Sequence, residues 1–178
     1  LALHMDGARL FNAAVAQNLV AAALAQHVDS VTFCLSKGLC APVGSVLCGS
    51  ADFIYRARRA RKILGGGMRQ AGILAAAGIV APNEMIERLA DDHAHARLLA
   101  EGLARLPGVR VNVDMVRTNM VFFDLADDVA LSSEEVADQL RQTANVWLGT
   151  NGPRGFRVVT HYWIDADDVR VLLSGLEG

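Results

Sequence analysis

The sequence predicts an α/β fold, with a mainly parallel sheet in its first half and a small α+β domain in its second. Three observations carry this expectation. Up to residue 82, short β-branched and aromatic runs alternate with alanine-rich helical stretches, the pattern of strands joined by helical crossovers. A long helical stretch then runs to Pro107-Gly108. Beyond it, short strands alternate with two helices. The expected boundaries are therefore a sheet domain over 1–82, a connecting helix over 83–107 and a small domain over 108–178.

Each element has its own reason. "LALHMD" reads as a short strand, and "GARLFNAAVAQN" spaces Leu10, Ala13 and Ala14 as a helix would. "AAALAQH" is a second helical piece. "DSVTFCLS" and "SVLCGS" read as strands, separated by a loop marked by Gly38, Pro42 and Gly44. "ADFIYRARRARKIL" is a basic helix stopped by Gly65-Gly66-Gly67. Residues 70–81 form a small-residue helix, expected to be buried, and Pro82 opens the long helix. In the last part, "VRVNV", "NMVFFDL", "NVWLG" and "FRVVTHYW" read as strands, "SSEEVADQLRQT" and "DADDVRVLLSGL" as helices. Ser132 or Ser133 ahead of Glu135 marks a helix N-terminus.

Composition narrows the function classes. The chain has 178 residues, 52% hydrophobic and 20% charged, enough to bury a core. Its net charge of −2 gives no global pull toward nucleic acid or an anionic membrane. The longest apolar run, near "AGILAAAGIVAP", is too short to span a bilayer. Cys34, Cys40 and Cys48 form no CxxC pair, so free thiols and a cytoplasmic setting are expected. The chain begins inside an apparent strand, "LALHMD", so an N-terminal part is expected to precede it.

The chemistry concentrates in "HMDGAR" at 4–9, "SKG" at 36–38 and "GGGMRQ" at 65–70, with "FRVVTH" at 156–161 in support. Asp6 ends one strand and Lys37 follows another. Ligands of open α/β sheets sit beyond the carboxyl ends of strands, so both face one crevice. That pairing suits pyridoxal phosphate. A lysine amine, desolvated in this apolar loop, forms a Schiff base with the aldehyde, and a carboxylate keeps the pyridine nitrogen protonated. On spacing alone, an Asp and a Lys at strand ends are more often a surface ion pair or a helix cap. Arg9 by itself reads as a surface residue at a helix start, and Arg157 as an edge-strand charge. Arg56, Arg58, Arg59, Arg61 and Lys62 read as a solvated or interface face. Gly65 to Gly67 suits a tight turn near a partner subunit. His93 and His95, two apart on a helix, point to different faces, so no metal site is expected. His4 shares a strand face with Asp6 and reads as a packed neighbour.

The wording of "HMDGARLFNAAVA", "DSVTFCLSKGLCAPVGSVLCGS" and "RKILGGGMRQAGILAAAG" resembles the low-specificity L-threonine aldolases. These belong to the aromatic amino acid beta-eliminating lyase/threonine aldolase family of fold-type-I pyridoxal-phosphate enzymes. The resemblance runs from Ala2 to about Pro82 and resumes in "FRVVTHYWID"; between 84 and 145 only the pattern matches. It implies that residues 1–82 are the C-terminal part of a fold-type-I large domain. It also implies that Lys37 carries the cofactor and that Asp6 pairs with the pyridine nitrogen. Arg9 would reach the phenolic oxygen or the substrate carboxylate, Arg157 would clamp that carboxylate, and Arg69 would make a phosphate or subunit-interface contact. The implied reaction is cleavage of threonine or allo-threonine to glycine and acetaldehyde, in a homodimer or homotetramer. A related β-eliminating lyase, an alanine racemase or an inactive interaction module on the same scaffold are the alternatives. Family members carry an N-terminal half with a Gly-Thr phosphate loop and two site histidines, expected to be missing here. Cys40 stands where the family usually has a small residue such as glycine.

Overall fold

β-branched and aromatic side chains set the first sheet. Strands β1 (His4–Asp6), β2 (Ser30–Cys34) and β3 (Ser45–Gly49) lie in the order β1-β2-β3. The computed structural model describes residues 1–177 of the chain. It divides into two compact units, Leu1–Leu89 and a second from Ala90 onward.

In the first unit β1 pairs parallel with β2, with Asp6 opposite Thr32. Helices α1 (Leu10–Ala16) and α2 (Ala21–Ala25) make the crossover between them. β2 pairs antiparallel with β3, Val31 opposite Cys48. The α/β class stands, but the sheet is mixed where a mainly parallel one was expected. The reason is the connection: residues 35–44 hold no helix, and so short a loop returns the chain antiparallel.

α3 (Ala51–Ile63) is capped by Ser50, whose Oγ accepts from the Phe53 amide at 3.3 Å. It ends in a reciprocal backbone pair, Gly66 N–H to Arg61 C=O and Gly65 N–H to Lys62 C=O. Gly65, at φ +81°, supplies the left-handed turn that this ending needs. α4 (Gly72–Glu84) departs from expectation twice. Pro82 lies inside its last turn and does not open the next helix; the break comes at 85–88, before α5 (Leu89–Leu103). A proline near a C-terminus forfeits one hydrogen bond while the turn survives, and Asn83 Nδ2 donates to the Ile79 carbonyl at 2.8 Å. α4 is also largely exposed, with Ile73, Ile79 and Val80 at the surface and Ala81 buried. The unit's core gathers Leu39, Ala41, Ala81 and Leu89, with Phe11, Val15 and Leu35 packed against them.

The second unit is an antiparallel sheet, β4 (Val109–Val111), β5 (Met120–Leu125) and β6 (Gly155–Val159), in the order β4-β5-β6. Along β5 burial alternates strictly: Val121, Phe123 and Leu125 point inward, Phe122 and Asp124 outward. The inner face packs on Leu99, Leu103, Leu140, Val169 and Leu172, drawn from α5, α6 (Ser133–Ala144) and α7 (Ala166–Glu177). Phe123 and Phe156 stack with centroids 4.7 Å apart. "NVWLG" is not a strand. Asn145 takes a left-handed φ of 55° to cap α6, and the chain meets β6 through the isolated Thr150–Phe156 bridge and the Arg157 amide, which donates to the Gly149 carbonyl at 3.5 Å. Among the described residues no helix is long and apolar enough to cross a membrane, and none of the three cysteines forms a disulfide.

Both closing helices have reciprocal caps. Ser132 Oγ accepts from the Glu135 amide while Glu135 Oε2 accepts from the Ser132 amide at 2.8 Å. Asp165 Oδ1 accepts from the Asp167 and Asp168 amides, and Asp168 Oδ2 accepts from the Asp165 amide. These amides, chiefly that of Asp168, hold the Asp165 carboxyl below the usual carboxylate range. The contribution is present at neutral pH and is lost as pH falls through the depressed folded value. Asp165→Asn should therefore flatten the acid limb of a stability-versus-pH curve measured by urea unfolding; an unchanged limb would refute this role.

The end of β6 is tied to the start of β5 by Asn119, which is 2% exposed. Its Nδ2 donates to the Thr160 carbonyl at 2.8 Å, and its carbonyl accepts from the Thr160 amide at 3.0 Å. Asn119→Ala leaves the buried Thr160 carbonyl without that donor. The expected loss is about 1–3 kcal/mol in chemical denaturation, and a loss below the measurement error would show that the tie is not structural.

Candidate active site

The site in the first unit begins with a close approach of backbone. After Asp6, the Gly7 amide donates to the Thr32 carbonyl at 2.8 Å. A Cβ on Gly7 would stand 2.8 Å from that oxygen, closer than side chains tolerate, so the second residue of "DGAR" must be glycine. The Cys34 amide then donates to the Ala8 carbonyl at 3.3 Å. The turn after β1 is thereby laced to the end of β2, and Asp6 finishes its strand at the same sheet edge from which β2 runs on to Lys37. Asp6 is exposed, and its Oδ1 accepts from the Ala8 amide at 3.1 Å.

The Lys37 loop is anchored on both sides of the lysine. The Cys40 amide donates to the Lys37 carbonyl at 2.9 Å, and the Ala41 amide to the Leu35 carbonyl at 3.0 Å. Gly38 and Leu39 are buried. A Cβ on Gly38 would come within 2.6 Å of Leu89 Cδ2 and 3.5 Å of Asn12 Oδ1. Lys37 itself is exposed, which corrects the expectation of a desolvated amine: Gly38 and Leu39 turn inward and hold the loop, while Ser36 and Lys37 are left outside. Asn12, 4% exposed, supports the loop and was missed from the sequence. The signal was there, a lone amide in the apolar helix "LFNAAVA".

Arg9 occupies the N-cap of α1 and is half-buried, with its Nε buried. His4 packs on β2, with Nδ1 2.9 Å from Ser30 Oγ. Arg69 is exposed in the turn between α3 and α4. Asp6, Arg9 and Lys37 are therefore brought to one end of the first unit's sheet. Arg157 belongs to the second unit. It lies exposed on edge strand β6, opposite Phe122, and its Nη2 is 3.6 Å from Met120 Sδ. A cavity of about 480 Å³ is lined by Trp147, Arg157 and His161 among others.

An amine and a carboxylate at the ends of adjacent parallel strands, each held by a glycine that a Cβ would disrupt, are a donor set that fits pyridoxal phosphate. The loop also carries strain. Cys40 has φ +59°, a left-handed conformation that disfavours a side chain, at the position where the resembling family usually has a small residue such as glycine. Cys40→Gly should raise stability by about 0.5–1 kcal/mol in thermal or urea unfolding. A destabilised variant would mean that the thiol, which lies 3.5 Å from the Gly38 carbonyl, does more than fill the turn.

The family model for beta-eliminating lyases matches residues 1–126. The chain is 48% identical over 172 residues to low-specificity L-threonine aldolase 1 of Arabidopsis thaliana, covering 97% of this chain and 48% of the relative. It is 45% identical over 163 residues to the low specificity L-threonine aldolase of Escherichia coli K12, covering 90% and 46%. A solved structure from Exiguobacterium sp., provisionally named an aromatic amino acid beta-eliminating lyase/threonine aldolase, superposes with a TM-score of 0.82 at 22% identity. That match covers 99% of this chain and 52% of the other. At that identity it establishes the shared fold. The chain spans about half the length of the curated relatives it matches.

Proposed function

We propose that the chain, which belongs to the beta-eliminating lyase family, works in a pyridoxal-phosphate enzyme that cleaves L-threonine and L-allo-threonine to glycine and acetaldehyde. The observation that carries this reading is the placement of Lys37 and Asp6 at the ends of adjacent parallel strands. The names of the relatives point to threonine as substrate.

When bound, pyridoxal phosphate supplies an electron sink for cleavage of the Cα–Cβ bond. Lys37 provides the amine that holds the cofactor and, once released, can carry a proton. Asp6 holds a proton on the ring nitrogen. Its Oδ1 already accepts from the Ala8 amide, which fixes the carboxylate's orientation. Arg9 serves the phenolic oxygen or the substrate carboxylate. Arg157 binds the carboxylate through its planar guanidinium, and Arg69 makes a phosphate or subunit contact. The base for the β-hydroxyl is not assigned to any residue of this chain. Exposed Ile73, Ile79 and Val80 on a largely apolar helix support assembly as a homodimer or homotetramer. Threonine breakdown that yields glycine, in the cytoplasm, is the setting this activity fits.

Protein incubated with pyridoxal phosphate should develop a visible absorbance band that Lys37→Ala abolishes, and should release acetaldehyde from L-threonine. No band, or one retained in Lys37→Ala, would remove the cofactor reading. Racemisation of alanine without acetaldehyde release would replace the aldolase with a racemase.

A further inference from the structure

The outer face of the second unit's sheet holds a feature that the core does not need. Phe122 is 51% exposed and points away from Val121, Phe123 and Leu125, which build the inner face. Its cross-strand partner is Arg157. The bonding pattern of the β5–β6 ladder fixes the kind of pair. The Thr160 amide donates to the Asn119 carbonyl and the Leu125 amide to the Arg154 carbonyl, so odd-numbered residues of β5 are the hydrogen-bonded positions. Phe122 and Arg157 are thus a non-hydrogen-bonded pair, the arrangement in which facing side chains come closest. Met120, on the same face two residues along, places its Sδ 3.6 Å from Arg157 Nη2.

An exposed arginine on an edge strand has many rotamers. One flanked by an aromatic ring across the ladder and a thioether at its tip has fewer. Pre-ordering a donor before its ligand arrives strengthens binding by removing the ordering cost. We infer that Phe122 is a positioning residue for Arg157, assisted by Met120, and holds the guanidinium ready for the substrate carboxylate. The inference rests on the reading of Arg157 as the carboxylate clamp. On this view Phe122 touches neither cofactor nor reacting bond and acts through the arginine.

The test uses the cofactor-loaded protein and follows the visible spectrum while titrating glycine, or methylamine, which has the amine without the carboxylate. Phe122→Ala should weaken glycine binding about three- to tenfold and leave methylamine binding unchanged. Phe122→Leu should restore most of the loss, and Met120→Leu should give a smaller loss. With L-threonine as substrate, the Phe122→Ala change should fall on KM and leave kcat intact. Arg157→Leu separates the two levels. If it weakens glycine binding while Phe122→Ala does not, the positioning role is overturned and the clamp stands. If Arg157→Leu leaves glycine binding unchanged, or the protein takes up no cofactor, the clamp reading and this inference fall together. Equal losses for glycine and methylamine in Phe122→Ala would show a general structural effect and also overturn it.

Discussion

The parallel pairing of β1 with β2 is the constraint on which the first unit's chemistry depends. Parallel neighbours end at the same sheet edge, so the residue closing β1 and the loop leaving β2 must share it. The register puts Asp6 beside Thr32, and the Gly7 contact with the Thr32 carbonyl locks that end. A slip of one residue would turn Asp6 to the opposite face. The loop after β2 adds a second anchor, with Gly38 and Leu39 buried against Asn12 and Leu89. Lys37 is thus exposed on a fixed base.

In the second unit Arg157 stands exposed on the outer face of the sheet. A fully packed inner face, with Phe123 and Phe156 stacked, leaves the outer face free of core duties. The Asn119 tie and the two reciprocal helix caps hold the frame. Arg157 then stands on a rigid ladder whose outward row includes Phe122 and Met120.

Much of this was legible in the residues. Asp6 and Lys37 could be placed at strand ends because Gly7 follows "LALHMD" and Lys37-Gly38 follows "DSVTFCLS". The Ser132–Glu135 cap followed from spacing alone. Cys40 stood out against the family pattern, and the left-handed turn explains why a small residue is usual there. Other features depended on tertiary context. "NVWLG" has strand-like composition, but Asn145 spends its conformational freedom on ending α6. Pro82 resembles a helix start, yet it is tolerated in a last turn. The apolar run over 72–82 in α4 implies burial, whereas within this chain the helix is mostly exposed. The antiparallel return of β3 turns on a loop too short for a crossover, and the exposure of Lys37 on Gly38 and Leu39 turning inward. Neither is written in local propensity. The pairing of Phe122 with Arg157 needs a register between segments 35 residues apart (157 − 122), which composition does not reveal.

The chain contains two lysines, Lys37 and Lys62, so the central claim reduces to which of them takes the cofactor. Borohydride reduction of the protein with pyridoxal phosphate, followed by digestion and peptide mass measurement, answers it. The account predicts the added cofactor mass on the peptide containing Lys37 and none on that containing Lys62. Label on Lys62 alone, or on neither peptide, would contradict it.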